Sequence, residues 1–151
     1  MAGEIKIKAL NVCRELVNQK IATLQKEFSL YSESAAGETK STAGDKHDTG
    51  KAMMQLEQEK LGKQLAELQQ QKRLLQDSKF SEPHASAVFG AYVETDQGHF
   101  LLGAALGKIE SEGQAVLCIS LQSPIGQALK GCIAGQSVTF NNKIFCITNI
   151  F

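Results

Sequence analysis

The sequence predicts an α+β protein: an N-terminal antiparallel coiled-coil hairpin over 1–79, then a small antiparallel-sheet domain with one short helix over 80–151. Two features of the chain predict it. Apolar residues recur every seven positions in two runs separated by a polar stretch. After Asp77 that spacing gives way to short strand-like runs bounded by Gly, Asn and Asp.

The first run carries Leu10, Val17, Leu24 and Tyr31 at seven-residue spacing, with Ile21 and Phe28 completing a four-three alternation. No Pro or Gly interrupts it from Glu4 to Ser34. The second run carries Met54, Leu61, Leu68 and Leu75, with Leu65 between them. Gln58 and Lys72 weaken this second seam, and Met53 and Met54 are read as seam or gap-filling residues. Gly62 is a mild defect, costing about 1 kcal/mol relative to Ala in a helix interior. Each run reads as a helix of roughly 25–30 residues, about 40 Å long. Two such helices bury their seams most simply against each other, hence the hairpin.

Between them, Ser32–Thr49 is small and polar and predicts an exposed tip, near 33–49. Asp45 and Asp48 lie there three positions apart, a spacing that lets two carboxylates approach one cation on a helical turn. The same residues suit helix capping: Thr42 with Asp45 forms a capping-box pattern, and Asp48 or Thr49 could also start the second helix.

In the second half, Ser78–Ala85 reads as a linker. Ala87–Thr95 is strand-like, Asp96-Gln97-Gly98 turns the chain into a strand over His99–Ala105, and Ala115–Leu121 is a third candidate. Ser123-Pro124 starts a short helix ending near Lys130, with Gly131 placed for a left-handed stop. Ser137–Phe140 and Lys143–Ile150 flank Asn141-Asn142 as a closing hairpin. So small a domain gains from docking on the base of the helices.

Sixteen Lys and Arg balance sixteen Asp and Glu, and no basic run supplies a phosphate footprint. No apolar stretch is long enough to span a bilayer and no signal pattern opens the chain, so a cytoplasmic protein without membrane contact is expected. Cys13, Cys118, Cys132 and Cys146 lack metal-clip spacing, and Cys13 stands far from the others in sequence; reduced thiols are expected. His47, His84 and His99 are isolated and read as solvated.

Three segments resemble the bacterial Gre transcript-cleavage factors. Gly44-Asp45-Lys46-His47-Asp48-Thr49 is similar to the family's Gly-Asp-x-x-Glu-Asn tip. Ser123-Pro124-Ile125-Gly126-Gln127-Ala128-Leu129-Lys130-Gly131 resembles its Ser-Pro-Ile signature, and Val88–Val93 its first C-terminal strand. The resemblance implies an FKBP-like fold for the second domain, without isomerase activity. It implies a monomer that binds RNA polymerase through Ser123, Pro124 and Ile125 and inserts its hairpin into the secondary channel. Asp45 and Asp48 would there help hold a Mg²⁺ shared with the polymerase, close to the nascent RNA 3′ end, so that the polymerase cleaves backtracked RNA. The chain would stimulate that cleavage without being an enzyme and would carry no cofactor when free. The family usually has an acid and an aromatic residue where this chain has Gly50-Lys51-Ala52, and commonly Gly-Asp at Gly135-Gln136. A non-cleaving channel regulator is therefore an alternative reading, and a coiled-coil chaperone or adaptor a third.

Overall fold

The computed structural model describes the backbone of residues 2–39 and 45–151 and the side chains of residues 3–31 and 50–151. The chain divides into two compact units, Met1–Leu16 with Gln71–Phe151, and Val17–Gln70. Helix α1 spans Ala2–Thr39 and α2 spans Asp45–Leu75. Both exceed the length expected, because Ala, Glu and Lys in the polar segment favour helix despite the Gly and Ser around them. Among the described residues no helix is long and apolar enough to cross a membrane.

In the helical unit, burial follows the seven-residue spacing. Val17 and Ile21 are buried and Leu24, Phe28 and Tyr31 half-buried. On α2, Leu61 is buried and Met54, Gln58, Leu65 and Leu68 are half-buried. Two assignments change. Lys72 is exposed and Gln71 takes the shielded position, because the stripe steps from Leu68 by three residues and not four. Met53 is exposed, one position off the stripe that holds Met54.

The other unit is built on a six-stranded sheet: β1 Tyr92–Thr95, β2 Gly98–Leu102, β3 Gly107–Ser111, β4 Gln114–Ile119, β5 Ser137–Phe140 and β6 Lys143–Ile150. Its order is β3-β4-β2-β1-β6-β5. The sheet is not purely antiparallel: β2 and β4 run parallel. After β2 the chain crosses to the sheet edge, forms β3, and returns through Glu112-Gly113, both at positive φ, to lay β4 between β3 and β2. The expected first strand shortens to β1 because Gly90, at φ +91, breaks the extended run. Its backbone lies so close to Lys79 that a β-carbon would meet that residue's carbonyl oxygen at 2.6 Å. The expected linker holds a 3₁₀ turn over Ser78–Ser81, capped by Asp77 and burying Phe80.

Cross-strand pairing sorts side chains onto two faces. Val93, Phe100, Leu102, Ile119, Phe145 and Ile147 join Leu129 of helix α3 (Pro124–Leu129) in one core. Tyr92, Leu101 and Cys118 pair across three strands on the opposite face. The start of α1 covers that second face: Cys13 meets Cys118, and Lys8 pairs with Glu112 at 2.8 Å. Arg14 donates to the Leu75 carbonyl at 2.9 Å, fastening the end of α2 to α1.

Candidate functional site

Two groups of residues carry the chemistry proposed from the sequence, and they fall in different units. Asp45 and Asp48 occupy the first turn of α2, which begins at Asp45. Their side chains, and Thr42 with the rest of the Gly44 segment, lie outside the described residues. A helix N-terminus is a favourable place for carboxylates, since the unpaired N–H groups and the macrodipole stabilise negative charge there.

Ser123, Pro124 and Ile125 open α3. Ser123 is the N-cap: its Oγ accepts from the Gly126 N–H at 3.1 Å and donates to the Ser120 carbonyl at 2.6 Å. Pro124 fills the first helical position, where its missing N–H costs nothing, and is exposed. Ile125 is half-buried and packs on the sheet core, so part of its role is structural. Gly126 explains why the segment tolerates little change. A β-carbon there would overlap the Ser120 carbonyl oxygen and approach Leu121 Cα and Ser123 Oγ at 2.9 Å. The helix start therefore presents Pro124 on a rigid, well-packed turn.

Sequence reasoning missed three further features, two of them made by residues distant in the chain. Lys6 is 4% exposed, with its ammonium donating to the carbonyls of Glu82 at 2.7 Å and Phe151 at 3.3 Å. Burial lowers its pKa to about 8, against the opposing pull of Glu82. It lines a cavity of about 290 Å³ with Ile7, Phe80, Pro83, His84 and Phe151. His99 is not solvated as expected: its Nδ1 is 2.6 Å from the Tyr92 hydroxyl, and the rings meet edge to face. Burial raises the Tyr92 phenol above its ordinary range, with Glu94 adding to the effect. Finally, Cys13 and Cys118 stand sulfur to sulfur at 3.2 Å. Of the local signals, the apolar strand-like run around Cys118 hinted at burial; none named a partner.

These features define a mixed α+β protein in which two long N-terminal helices precede a six-stranded sheet carrying a Ser-Pro-capped helix. No family model matches the chain, and no curated protein matches it. Among solved structures, that of the transcription factor Gfh1 is similar at a TM-score of 0.38 and 16% identity, over 92% of this chain and 93% of that chain.

Proposed function

We propose that the chain is a Gre-like transcription elongation factor that binds RNA polymerase. In this reading α1 and α2 form an antiparallel coiled-coil hairpin that enters the secondary channel, and the sheet unit is an FKBP-like foot gripping its rim through Ser123, Pro124 and Ile125. The observation that carries the reading is the start of α2 at Asp45, with Asp45 and Asp48 together in the first turn of the second long helix. The capped Ser123-Pro124 helix supports it, since it keeps an exposed Pro124 beside a half-buried Ile125.

The donor set suits Mg²⁺, a hard cation that is commonly held by one or two carboxylates together with phosphate oxygens. Asp45 and Asp48 would be the residues that hold it, completing a site with ligands from the polymerase. Bound there, the ion supplies charge neutralisation at the attacking and leaving oxygens of an in-line displacement. The two carboxylates also position water beside the backtracked RNA 3′ segment. Hydrolysis itself belongs to the polymerase, and the factor acts in the cytoplasm as a monomer.

A second reading has its own support. Leu30, Met53 and Leu56 are 62%, 64% and 64% exposed, apolar surface that a chaperone or adaptor could present to another client. A non-cleaving channel regulator would use the same fold without the carboxylate chemistry.

One experiment separates the readings. Purified protein is added with Mg²⁺ to backtracked elongation complexes, and RNA shortening is timed for wild type, Asp45→Asn and Asp48→Asn. The expected result is cleavage by wild type and a loss of roughly 10- to 100-fold in each variant, equivalent to about 1.4–2.7 kcal/mol of barrier. Polymerase binding without shortening selects the non-cleaving regulator. Absence of binding sinks the polymerase reading altogether.

A further inference from the structure

Cys13 and Cys118 lie 105 positions apart in the chain, yet their sulfurs are 3.2 Å apart. The two residues are 0% and 2% exposed. Cys118 sits on β4 between Leu101 of β2 and Gly107 of β3, so its β3 neighbour has no side chain to crowd it. Cys13 reaches it from α1, in a helix segment whose Ala9 and Leu10 are also buried. Both residues belong to the same compact unit, which fixes them against each other. A disulfide needs its sulfurs at about 2.05 Å, so closure asks for an approach of only about 1.2 Å.

We propose that Cys13 and Cys118 are a redox-responsive pair that closes to a reversible disulfide, locking α1 to β4 when a peroxide or a low-molecular-weight disulfide is present. The two thiols are not equivalent. The hydrogen bond shared by the two sulfurs holds the Cys13 thiol below its ordinary range, while the same bond and burial push the Cys118 thiol up. Cys13 is therefore the first thiolate.

With hydrogen peroxide, the Cys13 thiolate attacks one oxygen and breaks the O–O bond. Cys13 becomes a sulfenic acid, and the displaced hydroxide takes a proton to leave as water. The Cys118 sulfur then attacks the Cys13 sulfur, and the sulfenic hydroxyl departs as water with the Cys118 proton. Two thiols have lost two electrons, and one peroxide has become two waters. With a low-molecular-weight disulfide, the Cys13 thiolate forms a mixed disulfide and releases one small thiol. Cys118 resolves it and releases the second.

Cys146 is exposed and Cys132 half-exposed, so the test uses a Cys132→Ser/Cys146→Ser background in the full chain. That protein is treated in separate arms with hydrogen peroxide and with oxidised glutathione. Remaining thiols are blocked with N-ethylmaleimide, and the protein is digested with trypsin. The expected product is a reducible cross-link between the peptides Ala9–Arg14 and Ile109–Lys130, formed within one molecule. Tying residues so far apart in sequence raises Tm by about 10 °C. Dithiothreitol reverses both changes, and adding Cys118→Ser abolishes both. The proposal is overturned if both thiols stay reduced until denaturant is added, if links form only between molecules, or if the cross-link leaves Tm unchanged. None of these outcomes depends on polymerase binding, so the test stands apart from the elongation-factor reading.

Discussion

Replacing Gly126 and Gly62 by Ala, one at a time, should move stability in opposite directions. Helix propensity alone favours Ala at both positions by about 1 kcal/mol. Among the described residues, the methyl added at Gly62 would meet only Phe28 Cε2, at 4.0 Å, an ordinary contact distance. The propensity gain should therefore appear almost intact, raising Tm by about 2–4 °C for a chain of this size. At Gly126 the methyl collides with backbone, which cannot rotate away as a side chain would. The Ser120 carbonyl oxygen overlaps it, and Leu121 Cα stands at 2.9 Å. Restoring normal spacing asks α3 or the 120–121 segment to move by roughly 1 Å. Because Ile125, Ala128 and Leu129 of α3 pack into the sheet core, that movement disturbs the core as well. Overpacking of this kind costs about 1–3 kcal/mol. Set against the propensity gain, the net loss reaches about 2 kcal/mol, or a Tm lower by up to about 4–8 °C. Thermal melts followed by far-ultraviolet circular dichroism, with urea unfolding at fixed pH, measure both variants. A Gly126→Ala protein as stable as Gly62→Ala would refute the steric account of the Ser-Pro-Ile-Gly segment.

Lys6 sets a pH dependence whose sign follows from its lowered pKa. Between about 8 and 10.5 the unfolded chain binds more protons at this residue than the folded one, so its contribution to stability climbs with pH. Below about 8 the full cost of burying the charge is present. Relative to Lys6→Met, the wild type should gain about 3 kcal/mol across that window, read from urea unfolding of both proteins at matched pH. A pH-independent difference would remove burial as the cause. Ser123→Ala should cost about 1 kcal/mol through the lost cap, and Ser123→Thr should restore most of it; equal stabilities for Ala and Thr would show the cap to be unimportant.

The parts of this architecture that are legible in sequence are those encoded by near neighbours. Ser137–Phe140 and Lys143–Ile150 form β5 and β6 as expected, because Asn141 and Asn142 accept the positive φ values, 51° and 64°, that a two-residue hairpin turn demands. Ser123 and Pro124 open a helix for equally local reasons, and Gly131 takes its left-handed stop at φ +80. Strand β3 was illegible because Ile109 is its one large apolar residue, leaving too little alternation to notice. The parallel pairing of β2 with β4 has no local signature at all, since either orientation uses the same residues. Strict seven-residue counting puts Lys72 on the helix seam, whereas the burial steps to Gln71. At the candidate site, the spacing of Asp45 and Asp48 and the Ser123 segment were readable. Lys6 with Glu82 and Phe151, and Cys13 with Cys118, were not, because each pairing depends on how the whole unit closes.

The same closure sets a timetable for a newborn chain. β6 is central to the sheet, paired with β1 on one side and β5 on the other, and it is made last among the strands described. Lys6 finds its acceptors 76 and 145 positions downstream. At synthesis rates of about 5–20 residues per second, Cys13 is made roughly 5–20 seconds before Cys118 exists. Throughout that wait Cys13 lacks the sulfur it packs against. Slowed translation therefore lengthens the interval in which an apolar stretch of the first helix stays uncovered by the sheet.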